Sequence, residues 1–490
     1  MPKSTLNLHS EFHLGPVDPR IFGGFMEHMG RCVYQGVFEP GNPLSDAAGF
    51  RLDVLAALKA QNYSVMRYPG GNFASAYHWM DGVGPREKRP RMRDLAWQSI
   101  ESNAFGTEEY MELVRRMNWT PMLTVNLGTG TPEEARNWVE YCNMPAGTRY
   151  ADMRPGAAHG VKLWCLGNEM DGPWQLGHVP ARDYAIRAQQ AAKMMKDCDK
   201  TLELVACGTC YVGLPSYIEW DREVLEYLGD QADYISLHRY SNNRDDDTAA
   251  FLAEGIRIDA QIEQMDSVCR FVQAKRRSKK RAFLCFDEWN VWYKDMGMDG
   301  AGKEAPRLIE EVYNLEDALV VASYLISFIR HADVLKVANL AQIVNVIAPI
   351  LAEKDHLVLQ SIYHAFNMVS SRRAGVALQA RLSGPTYEVK ELPPVPMIDT
   401  IATLDGKKLT VFAVNRDQHE KQMLEIKLAD GSIARFLDGE LLSGPGAKTA
   451  NSREKQAIAP RALTGCAIQD GTAQIELPPL SFAAFSLQLA

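Results

Sequence analysis

Between about residues 20 and 342 the chain alternates short apolar runs with longer amphipathic stretches, and the alternation repeats eight times. The apolar runs start near Ile21, Ser64, Thr120, Val161, Glu203, Ala232, Ala282 and Val334 and have the length of buried strands. The stretches between them carry helix periodicity. Leu52, Leu55, Ala56 and Leu58 share a face after Asp46, and 180–200 and 314–331 read as longer helices with apolar faces. Thr131-Pro132-Glu133-Glu134 supplies a cap, a proline at the first helical position and early acids. Strand-helix units repeated over this length predict an α/β fold of the (β/α)8, or TIM, barrel type.

Past about residue 375 the helical period stops and short alternating strands take over. Ile398–Leu404 and Leu409–Val414 flank Asp405-Gly406-Lys407-Lys408, which reads as a hairpin. Met423–Leu428, Ala434–Leu437, Ala473–Leu477 and Ser481–Leu489 continue the pattern, so an antiparallel, jelly-roll-like β-sandwich is expected. Thr5–His9 alternates as well. The expected division is a barrel over 15–375 and a sandwich over 376–490, completed by a strand from 1–14. The stretch Gly444–Arg461, rich in Gly, Pro, Ala and Lys, reads as a mobile loop.

Composition narrows the function classes. A chain of 490 residues exceeds one compact core. Its formal net charge of -8 carries no long block of like charge, and Lys275–Arg281 reads as a solvated helix end. A nucleic-acid partner is therefore not expected. No segment has the apolar length of a signal peptide or a membrane span, and nine cysteines, mostly inside apolar segments, fit reduced thiols in the cytoplasm. Cys207-Gly208-Thr209-Cys210 has no second pair to complete a zinc site, and His28 and His238 lack partners at ligand spacing, so no metal or cofactor is expected.

The chemistry collects where the strands end. In order the ends carry Glu27 and His28; Arg67 with Asn72; Asn126; Asn168 and Glu169; Thr209; His238 and Tyr240; Glu288 and Asn290; Asn339 and Gln342. In a barrel all lie on one rim, the face where such folds place catalysis. Trp79, Trp97, Trp174, Trp289 and Trp292 are expected to ring it, polar groups for hydroxyls and indoles for sugar faces. Glu169 and Glu288 close the fourth and seventh strands, which face each other across the mouth. A pair of carboxylates in that arrangement can supply the proton donor and nucleophile that break a glycosidic bond. Asp287 precedes Glu288, and because strand residues alternate faces only one of them is expected to enter; Glu288 reaches further.

Gly167-Asn168-Glu169 and Asp287-Glu288-Trp289-Asn290 resemble the motifs of retaining glycosidases of the four-seven barrel clan. Ile21–His28, Met66–Phe73 and Leu95-Ala96-Trp97 extend the match, nearly end to end, to the family-51 α-L-arabinofuranosidases. The resemblance implies Glu169 as acid/base and Glu288 as nucleophile, with Glu27, Asn72, Asn168, Tyr240 and Gln342 holding an arabinofuranosyl ring. It also implies Arg67 beside the nucleophile, Trp97 and Trp292 as walls of the leaving-group side, and a homo-hexamer. The expected substrate is an arabinofuranosyl-bearing oligosaccharide or polysaccharide. An endo-glucanase or β-xylosidase on the same barrel, and a non-catalytic sugar-binding protein, are the competing readings. The loop 294–306 is either a flap over the substrate or a long connection.

Overall fold

The computed structural model describes residues 1–490. Eight parallel strands close into a barrel: β1 (Gly23–Phe25), β2 (Val65–Tyr68), β3 (Thr120–Thr124), β4 (Leu163–Leu166), β5 (Glu203–Ala206), β6 (Tyr234–Ser241), β7 (Phe283–Val291) and β8 (Leu335–Ala341). Each pairs with its sequence neighbours, and β8 closes on β1. Val65, Met122, Leu163, Cys165, Val205, Tyr234, Cys285 and Val337 fill the barrel axis as one small apolar cluster. That plug is apolar, so polar groups reach solvent at the strand ends.

The helices follow the expected places. Pro132–Asn143 starts at Thr131, whose hydroxyl accepts the Glu134 N–H at 3.1 Å. Ala181–Cys198 and Leu315–Arg330 fill two long amphipathic stretches. The second of these is buried on nearly every face because it lies between the barrel and the sandwich strands Ile398–Asp405 and Lys408–Asn415. Leu52–Ala60 departs from expectation: it buries Val54, Leu55 and Leu58, while Leu52 is 53% exposed. The barrel-facing stripe runs one position round from the apolar letters.

Two sheets form the C-terminal sandwich around their own apolar cluster. Ile398–Asp405 and Lys408–Asn415 pair as the expected hairpin, with Gly406 at φ +56° at its turn, a conformation glycine adopts without strain. The N-terminal strand Lys3–Leu8 enters the five-stranded sheet, pairing in parallel with Gln422–Leu428 and antiparallel with Arg381–Ser383. The sandwich is therefore not purely antiparallel. The stretch 444–461 is docked on the barrel. The Asn451 amide donates to Leu359 and Ile458 carbonyls at 2.9 and 2.8 Å, Ile458 is fully buried, and Lys448 reaches Glu316 at 2.6 Å. These contacts, not its glycines and prolines, decide how the segment sits.

Candidate active site

A cavity of about 550 Å³ opens at the C-terminal ends of the barrel strands. Glu27, Asn72, Trp97, Glu169, Tyr240, Glu288, Trp292 and Gln342 line it, and Arg67 and Asn168, bonded to each other, are buried at its floor beside Glu288. The strand ends gather these residues around one cavity and send other expected rim residues elsewhere. His28 is buried between Glu101 and Tyr68. Asn126 folds back on its own loop, Thr209 binds Asp221, and the Asn290 and Asn339 amides donate to backbone carbonyls. Trp79 stacks on Trp138, and Trp289 packs outward on Tyr324 and Phe328. Both indoles serve the core; a tryptophan near a strand end does not reveal which way it faces.

β4 ends in Gly167, at φ +89°, followed by Asn168 and Glu169. Glu169 itself takes a left-handed backbone, φ +46°, which for a side-chain-bearing residue costs on the order of 1–3 kcal/mol and is typical of functional sites. The turn carries its carboxylate inward, where Oε1 lies 2.9 Å from His238 Nδ1 and Oε2 accepts the Trp174 indole N–H at 2.6 Å. Trp174 is half exposed, so Glu169 faces the open side of the cavity.

β7 contradicts the expected alternation. Ser236 pairs with Cys285 but His238 with Glu288, and Phe286 pairs with Ala338 but Trp289 with Leu340. Three residues of β7 thus span two on each neighbour, a β-bulge. Cys285 points into the barrel, Phe286 packs outward on Phe328, and Asp287 and Glu288 both turn inward. Both carboxylates reach the same two cations. Nothing in the letters marks this extra residue.

Arg67 and His238 organise the centre. Arg67 Nη1 donates to Glu288 Oε1 at 3.1 Å and Nη2 to Asn168 Oδ1 at 2.7 Å. That leaves the buried Asn168 Nδ2 without a partner. His238 Nδ1 sits 3.1 Å from Glu288 Oε2, and the three groups Glu169, His238 and Glu288 bring donor atoms within 4.8 Å of one another. Burial alone would depress the imidazole pKa, but Glu288, Asp287 and Glu169 hold it well above its ordinary value. Burial would raise Glu288, yet His238 and Arg67 pull it below the usual carboxylate range. Glu27 behaves oppositely: burial and the nearby Glu288 charge push it up to about 8. Its oxygens accept from Phe73 N–H, the Trp97 indole and the Gln342 amide at 3.0, 3.1 and 3.2 Å. Gly70 and Gly71 permit these approaches, since a Cβ there would lie 2.4 Å from Glu27 Cγ and 2.7 Å from Glu288 Oε1.

The loop 294–306 bridges the mouth. Gly300 and Gly302 donate to the Trp97 and Gln98 carbonyls at 2.8 Å, and the Ile100 N–H to Lys303 at 2.9 Å. Met298 thereby closes one side of the cavity. From the sequence, His238 and Trp174 are expected on the rim without a role, and Asp287 is set aside in favour of Glu288; the structure brings all three against the paired carboxylates.

Comparison with known proteins agrees with this geometry. The family models described as "Alpha-L-arabinofuranosidase 1 domain" and "Alpha-L-arabinofuranosidase C-terminal domain" match residues 57–257 and 287–481. The chain is 40% identical, over 100% of its length and 99% of the relative's, to the intracellular exo-alpha-(1->5)-L-arabinofuranosidase 1 of Bacillus subtilis (strain 168). It is 38% identical, over 99% and 97%, to an exo-alpha-(1->6)-L-arabinofuranosidase of Bifidobacterium longum. Among solved structures, AbfB, a family 51 alpha-L-arabinofuranosidase from Bifidobacterium longum, superposes with a TM-score of 0.95 at 35% identity, covering 100% of both chains. Identity of this extent across both the barrel and the sandwich makes the chain a glycoside hydrolase that belongs to the family-51 α-L-arabinofuranosidases.

Proposed function

We propose that the chain is an exo-acting, retaining α-L-arabinofuranosidase in which Glu288 is the nucleophile and Glu169 the acid/base. One observation carries the assignment: two carboxylates from opposite strands come within 4.8 Å, and Arg67 bonds only one of them. The short gap fits the roughly 5–5.5 Å of retaining enzymes better than the roughly 6.5–9.5 Å of inverting ones. Glu288, ionised by its two cations, attacks the anomeric carbon while Glu169 gives its proton to the departing oxygen. Glu169 then takes a proton from water, which attacks the glycosyl-enzyme and frees Glu288.

The unpartnered Asn168 Nδ2 supports a donor to the sugar 2-hydroxyl, a bond that strengthens as the ring becomes cationic. Glu27, Asn72, Tyr240 and Gln342 surround the same space as ring-binding groups, with Trp97 and Trp292 at its sides. The bridged mouth supports removal of terminal residues rather than internal cleavage. The relatives' printed linkages, (1->5) and (1->6), mark arabinan-type oligosaccharides as the first substrates to try, with aryl xyloside and soluble glucan as controls. Nine free cysteines and the relative named intracellular support a cytoplasmic location. A hexamer follows from family resemblance and is read by sedimentation.

The test separates the two carboxylates. Glu169→Ala should still form the glycosyl-enzyme from a substrate with a good aryl leaving group, while poor leaving groups lose about 10²–10⁴-fold or more. Azide should rescue it and yield the α-azide, because the anion displaces Glu288 from the opposite face. Glu288→Ala should be inactive toward both leaving groups and give the β-azide if any product forms. Swapped products would reverse the assignment.

A further inference from the structure

The bulge in β7 buries a carboxylate beneath the nucleophile that the chemistry above does not use. Asp287 is 1% exposed and lies behind the cavity wall, out of reach of a substrate. Its Oδ2 is 3.3 Å from Arg67 Nε and its Oδ1 3.3 Å from His238 Nε2, with the Cys165 thiol 3.7 Å from Oδ2. The far ends of those two cations are the groups that hold Glu288, at 3.1 Å each. Each cation thus spans two carboxylates, one below and one in the site.

We propose that Asp287 is a positioning residue for the reaction, fixing Arg67 and His238 in the orientation in which both grip Glu288. The proposal rests on Glu288 being the nucleophile. An imidazolium has two N–H donors and needs two acceptors. His238 Nδ1 faces Glu169 and Glu288, and the Asp287 carboxylate is the counter-charge 3.3 Å from Nε2. Without it, the buried ring gives up a proton or turns, and the ion pair with Glu288 is lost. Arg67 likewise loses the group that fixes its Nε end.

The other titratable groups facing this centre are Glu27 from β1, Cys165 and Glu169 from β4 and its end, and Asp171 beyond them. Cys207 and Cys210 after β5, Tyr240 on β6 and Cys285 on β7 complete the set. Burial keeps the thiols and the phenol protonated, and Glu27 titrates only near 8. Burial pushes Asp171 up to about 6, but it accepts the Cys210 N–H and does not line the cavity, so the acidic limb of kcat/KM is assigned to Glu288, which must be ionised to attack.

The sign of one shift decides the matter. If Asp287 were a bystander charge, its removal would relieve repulsion on Glu288 and move the acidic limb down. If it positions the two cations, their loss outweighs that relief, and the limb moves up. Asp287→Asn should raise the limb on an aryl α-L-arabinofuranoside by about one pH unit, the lower end of what an opposite charge at this range contributes. Asp287→Ser, smaller and less prone to clash, keeps the measurement available should the amide fail to fold, and should shift the limb the same way. In a His238→Gln background Asp287→Asn should move the limb by less than it does alone, since the two act through one contact. A limb that stays put or falls, with the loss appearing only as a lower Tm, overturns the proposal. Failure of the underlying reading looks different: Glu288→Ala would then retain activity whatever Asp287 does.

Discussion

Glu27 illustrates how much a single side chain in this site is held against its own preference. Its folded pKa of about 8 lies above the ordinary 4.5, so the stability linked to it is complete below about pH 4.5 and is lost as pH rises through 8. Glu27→Gln carries no charge to desolvate. The variant should therefore gain Tm over the parent as pH rises across that window, by an amount equivalent to about 1.4 kcal/mol per pH unit at most, while KM worsens. Thermal scans at pH 5, 7 and 9 check this; equal Tm differences at all three would refute the raised pKa. Glu27, Glu169 and Glu288 were legible because an apolar run that breaks into an acid is a strong local pattern. Asp287 was not, because its orientation depends on an inserted residue that shows only in the pairing of three strands. His238 stood on the rim list, but which carboxylates it joins is a matter of distance between strands.

At the level of elements, the helix Leu52–Ala60 separates what periodicity reveals from what packing decides. Leu58 is fully buried and Leu52 is 53% exposed, though both are leucines on a plausible common face. Leu58→Ala should cost about 2–5 kcal/mol, whereas Leu52→Ala should stay within roughly 0.5 kcal/mol. Denaturant titration of the two variants measures the contrast; similar losses would mean that the helix is rotated. The existence of all eight barrel strands was readable since each is a compact run of apolar letters, and the Gly406 hairpin was readable from its turn. The docking of 444–461 was not. Its anchors are single residues, Asn451 and Ile458, which bond each other, while Asn451 also reaches Leu359, 92 residues back.

In the molecule as a whole, barrel and sandwich are joined by buried charge as well as by apolar contact. Arg416, buried, donates to Asp399 and to the Leu252 carbonyl at 2.8 Å, and Arg330 contacts the same Asp399 at 2.6 Å. Arg416→Ala leaves that carboxylate with one cation and should lower stability by about 3–5 kcal/mol, read as a drop in Tm with both units melting earlier. Unchanged melting would show that the apolar contact alone couples the two. The N-terminal strand adds a different kind of dependence. Lys3–Leu8 finds its parallel partner in Gln422–Leu428, about 420 residues later. At a synthesis rate of roughly 5–20 residues per second, that partner leaves the ribosome about 20–80 s after the strand does. For most of that interval Leu6 and Leu8 have no sheet to join; Arg381–Ser383 is the first partner strand to follow. The sandwich is consequently the last part of the molecule to close, and a nascent chain stalled before residue 422 leaves one edge of Lys3–Leu8 open.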